Sequence, residues 1–86
     1  MTAAEKKILK TLSKDLDELG FDFKEAIDEA IKFDDKPSKF MPRLDKDVDY
    51  GWEQIGEPGD EPIYKAAHIL IGHAWDELTA LRKARR

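Results

Sequence analysis

Two histidines and nineteen carboxylates are the side chains of this sequence with the clearest capacity for acid–base or metal chemistry. His68 and His73 are five residues apart, which places them about 140° apart around a helix. They cannot grip one metal ion from a single face, as a pair at i and i+4 can. A general acid–base histidine also needs a partner within hydrogen-bond reach, and the sequence names none. Both are therefore read as helix residues, one of them hydrogen-bonded in the interior.

The run Asp45-Lys46-Asp47-Val48-Asp49-Tyr50-Gly51 opens like a calcium loop, with acids at its first, third and fifth positions. The match then slips. Gly51 and Glu57 each fall one residue late for the turn and the bidentate ligand, and Pro42 discourages an entering helix. We read the run as a solvated acidic loop without a metal. With no cysteine there is neither a thiolate nucleophile nor a Cys-based zinc site. No catalytic motif or cofactor fingerprint is visible, so neither an enzyme nor a cofactor is expected.

What remains is charge and its placement. Residues 15–61 carry sixteen acids and six bases, a net charge of −10, while residues 1–14 and 62–86 are each +3. Such segregation suits a polarised surface that meets a basic protein. On the second helix Glu25 and Glu29 repeat at four residues, with Asp28 beside them and Asp34 and Asp35 just beyond. Together with Asp45, Asp47 and Asp49 they are the expected partner face, and Tyr50 and Trp52 are its aromatic anchors. Of these two, Trp52 is expected to point inward and Tyr50 outward. The basic tail, Arg82-Lys83-Ala84-Arg85-Arg86, suits the negative end of a helix dipole. The first helix has its charges the other way round, with Lys6 and Lys7 early and Asp15, Asp17 and Glu18 late. Folding alone would not choose that order.

The elements that must position these groups are helical. Thr2 and Glu5 form a capping box ahead of Ile8, Leu9, Leu12, Leu16 and Leu19, and Gly20 then supplies a left-handed stop with Phe21 folding back. Asp22 and Glu25 repeat the capping pattern before Ile27, Ala30 and Ile31. A third helix starts near Pro62 and carries Ile63, Ala67, Leu70, Ala74, Leu78 and Leu81 as one stripe. Helices are expected over 2–19, 22–33 and 61–84. Leu12, Leu16, Ile27, Ile31, Leu70, Leu78 and Leu81 are expected in the core.

Between them, Pro37, Pro42 and Pro58 with Gly51, Gly56 and Gly59 break the periodicity. Residues 34–60 are expected to form a long irregular acidic loop, with one short strand where Val48, Tyr50 and Trp52 alternate. Phe40, Met41, Leu44, Trp52 or Ile55 would peg that loop to the helices. The fold class is thus a single all-α domain of three helices, near the size where one core only just suffices.

The third helix is apolar nearly all round from Ala66 to Trp75, more than two short helices readily cover. Ile69, Gly72 and Trp75 are accordingly expected to mediate self-association as a homodimer. No apolar segment reaches the length of a membrane span, no secretory leader is visible, and the chain is expected to be cytoplasmic. Its net charge of −4 disfavours general nucleic-acid binding. In size and charge habit alone it resembles DNA-mimic proteins and small phage or mobile-element antagonists of host defence. The leading expectation, drawn from the acidic face and not from that likeness, is a regulator or inhibitor of a basic protein, in one form occupying a nucleic-acid-binding groove as DNA mimics do. The competing expectation is an assembly protein built on its third helix.

Overall fold

A computed structural model describes residues 1–84, in which every regular element is helical: α1 (Ala3–Glu18), α2 (Lys24–Lys32), α3 (Pro37–Ile55) and α4 (Glu61–Ala84). A 3-10 turn at Pro58–Asp60 leads into α4. The all-α class holds, with four helices where three were expected.

α1 begins and ends on local chemistry. The Glu5 backbone N–H donates to the Thr2 hydroxyl at 3.2 Å, and the Glu5 carboxylate accepts from the Thr2 backbone at 3.1 Å. At the other end Gly20 takes φ +98°, the Phe21 N–H donates to the Leu16 carbonyl, and the Gly20 N–H donates to that of Asp17. These are the paired hydrogen bonds of a Schellman stop, and they need the left-handed backbone that glycine adopts at little cost. α2 ends in the same way, with Asp34 as the left-handed residue at φ 49°. Its start differs slightly from expectation. Phe23 is the cap residue, while Asp22 stands one position outside and accepts from the Lys24 N–H.

Pro37–Ile55 is a helix, not the irregular loop or strand expected over 34–60. Pro37 sits in the first turn, where its missing N–H costs nothing. Pro42 lies inside the helix and forfeits one intrahelical bond. The burial of Pro37, Phe40, Met41, Leu44 and Val48 along one face outweighs that loss. α3 supplies the cover that the apolar centre of α4 requires. Gly56 closes it, because a Cβ there would run into the Trp52 ring and carbonyl.

α4 runs antiparallel to both α1 and α3 and packs against each, while α2 packs on α1. Leu9, Leu12 and Leu16 meet Ile27 and Ala30, Met41, Leu44 and Val48, and Ile71 and Leu78 in one core. Leu12, Leu16, Ile27 and Leu78 are buried as expected. Ile31, Leu70 and Leu81 are only half-buried. Ile55, expected to peg the middle segment, is 77% exposed.

Candidate binding site at the acidic end

The folding of 37–55 into a helix redistributes its acids. Asp45 and Asp49 lie one turn apart on the face of α3 turned to α4, and Asp47 lies away from them. Between Asp45 and Asp49 sits His68 of α4. Its Nδ1 is 2.8 Å from Asp45 Oδ1 and its Nε2 is 2.8 Å from Asp49 Oδ1. Both ring nitrogens are satisfied only if both carry protons, so the geometry holds an imidazolium between two carboxylates. Burial pulls the His68 pKa down, but the hydrogen bonds and negative charges of Asp45 and Asp49 outweigh it, and the net shift is upward. The trio fastens α3 to α4. His73 is exposed on α4, away from this trio.

A second polar cluster joins the opposite end of the molecule. Glu5 is fully buried, and its carboxylate accepts from the Thr2 backbone and hydroxyl and from Arg82 Nε, the last at 2.8 Å. Arg82 also donates to Asp34 and to the Asp35 carbonyl, and the terminal amine of Met1 pairs with Asp34. Burial pushes the Glu5 carboxyl up, but the Thr2 bonds and the Arg82 guanidinium outweigh it and leave its pKa lowered. Asp35 pairs with Lys39 as well. Asp34 and Asp35, expected on the partner face, thus serve the joint between α1, α4 and the α2–α3 link. Of the basic tail, Arg82 is a structural anchor, and Arg85 and Arg86 lie outside the described residues.

The site with open surface lies where the C-terminal ends of α1 and α3 meet the start of α4. Phe21 stacks on Phe23 and sets its edge against Tyr64, with ring centroids 6.0 and 5.3 Å apart. Trp52 also meets Tyr64, with ring centroids 5.0 Å apart. Beside this aromatic cluster opens a cleft of about 340 Å³ whose wall includes Ile55 and Ile63. Asp22 from the α1–α2 turn, Asp47 from α3 and Asp60 from the 3-10 turn come together on it. Residues 17–22 and 53–61 contribute seven acids and no base to this end.

Of the residues expected on the partner face, the structure brings only Asp47 to this cleft. Glu25, Asp28 and Glu29 are exposed along α2, and Tyr50 is 65% exposed on α3. Trp52 is half-buried against Tyr64, inward of Tyr50 as expected. Sequence reasoning missed Asp22, Asp60, Ile55 and Ile63 as a group. Ile55, Asp60 and Ile63 are close in sequence, but Asp22 is more than thirty residues away, and only the packing of α1 and α3 against α4 brings it to them. Among the three proposed for self-association, Ile69 is 58% exposed, Gly72 has open space around it, and Trp75 packs against the core. Among the described residues no group of three histidine or carboxylate side chains is placed to hold a metal ion, and no helix is long and apolar enough to cross a membrane.

Compared with known proteins, the chain matches no family model, no curated protein and no solved structure, so the reading of its site rests on geometry and charge.

Proposed function

We propose that this chain is a non-enzymatic binding module that engages a basic protein through its acidic end. It acts as a regulator or inhibitor, covering a surface that otherwise meets nucleic acid. The observation that carries this reading is the cleft itself. Three carboxylates from three separate elements surround exposed Ile55 and partly exposed Ile63 above an aromatic cluster. Asp47 and Asp22 have no ion-pair partner among the described residues, so their charge is available to a ligand. An apolar side chain flanked by lysine or arginine matches both features. The apolar cleft would hold its body, and the rim would steer and orient its charge. DNA mimicry is the extended form of the same idea, with the acids of α2 prolonging the negative surface.

A peptide of alternating lysine and leucine, fluorescently labelled, is a suitable probe for anisotropy titration at low salt. Binding should weaken as salt rises, because exposed charges are screened beyond about 8–10 Å near physiological ionic strength. Asp22→Asn with Asp47→Asn removes two charges at nearly constant shape and should weaken binding roughly tenfold. If the double variant binds as the parent does, the acids are only a solvated surface.

A further inference from the structure

α1 and α4 lie side by side, and between them runs a second, larger groove of about 740 Å³. Ile8, Leu70 and Leu81 line it and are only half-buried, although each belongs to an apolar stripe. Ala74 is buried within it, and the small side chains of Ala4, Thr11 and Ala80 along it leave room for close approach by another helix. This groove shares no residue with the acidic cleft, so its occupant is independent of the proposed function.

We propose that the α1/α4 groove is the contact surface between two copies of this chain, joined antiparallel about a twofold axis. Charge on its rim identifies the occupant. Lys7 and Asp15 line the groove on α1, four residues to either side of Thr11. His73 and Glu77 line it on α4, two residues to either side of Trp75. Glu5 meets Arg82 across the helix pair. Six residues along α1 from Glu5 is Thr11, and six back along α4 from Arg82 is Asp76, next to Trp75. The two centres therefore stand at nearly the same height.

A twofold axis crossing the groove at that height reverses the helix direction in the second copy. Lys7 then faces Asp15 of the second copy, Glu77 faces its His73, and each pair occurs twice. A symmetric contact needs a surface complementary to its own inverse, and the opposite charges of Lys7 and Asp15, set evenly about one centre, provide it. A uniformly basic or uniformly acidic partner would meet a like charge at one end of the groove. Among the described residues Lys7, Asp15, His73 and Glu77 form no ion pair within the chain.

The test is sedimentation equilibrium of the full chain from low to high micromolar concentration at low salt. The parent should approach dimer mass as concentration rises. Lys7→Asp and Asp15→Lys each set like charges against one another twice and should raise the dimer dissociation constant roughly tenfold or more. The double variant exchanges the pair and should recover most of the parental affinity. Circular dichroism of each variant confirms that its helices persist. Gly72→Ala, where an added Cβ meets nothing within 4 Å, should leave dimerisation unchanged. A monomer mass at high micromolar concentration overturns the proposal and leaves the groove to a helix of another protein. Single reversals with parental affinity overturn it by moving the contact to another face. A double variant as weak as either single overturns the antiparallel pairing.

Discussion

At the scale of single residues, two ionic clusters hold the ends of the bundle in register. Glu5 is a capping-box residue in sequence and a buried carboxylate in the fold, where Arg82 meets it from the far end of the chain. Glu5→Ala removes one partner of a pair whose arginine is largely shielded from solvent. It should cost about 3 kcal/mol or more, measured by urea unfolding. A loss comparable to an exposed cap alone, about 1 kcal/mol, would contradict the role of Arg82. His68 gives a pH dependence with a definite sign. Its folded pKa is raised, so its contribution is full below the unfolded value of about 6.5 and fades as pH rises through the folded value. Unfolding free energy should fall across that window, and His68→Asn should flatten the fall. An equal pH dependence in parent and variant would refute the clamp. The capping box was legible in sequence because its partners are three residues apart. The Glu5–Arg82 and His68–carboxylate pairs were not, since only tertiary packing makes them neighbours.

At the scale of elements, the helix boundaries that carry local signals were the legible ones. Thr2, Gly20 and Phe21 fix α1 through hydrogen bonds confined to a few residues, and those bonds form as the sequence implies. α3 was illegible for the converse reason. Pro42 and Gly51 oppose a helix locally, while the apolar spacing of Phe40, Met41, Leu44 and Val48 supports one only when α4 lies alongside. Burial against α4 prevails over propensity, and Pro42 leaves a residual cost within α3. Pro42→Ala should restore the missing N–H and stabilise the domain by about 1–3 kcal/mol, read as a raised melting temperature. Destabilisation would contradict a continuous helix through that residue. Helicity in turn explains why Asp45, Asp47 and Asp49 do not act as one surface. Their two-residue spacing would share a face on a strand, but on a helix it sends Asp47 away from the other two.

At the scale of the whole molecule, a body about 44 Å long and 20 Å across carries its charges unevenly. The N-terminus of α1 and the C-terminus of α4 bring Lys6, Lys7, Arg82 and Lys83 to one end, where Glu5 and Asp34 offset part of their charge through Arg82. The other end gathers acids from the ends of α1 and α3 and the start of α4. The starts of α2 and α4 also lie there, and their positive dipole ends ease the placement of Asp17, Glu18 and Glu61. That relief accounts for the reversed charge order of α1 in folding terms. It leaves Asp47 beside exposed Ile55 unexplained by folding, and this combination is what the binding proposal uses. The charge segregation was legible from composition, whereas the cleft needed the fold. Chemical-shift mapping of the isotope-labelled chain during titration with the lysine–leucine peptide tests the proposal most directly. Perturbations should concentrate at Phe21, Phe23, Asp47, Ile55, Ile63 and Tyr64 and diminish with added salt. Shifts confined to α2, spread evenly over all acids, or centred on the α1/α4 groove would contradict a binding site at the acidic end.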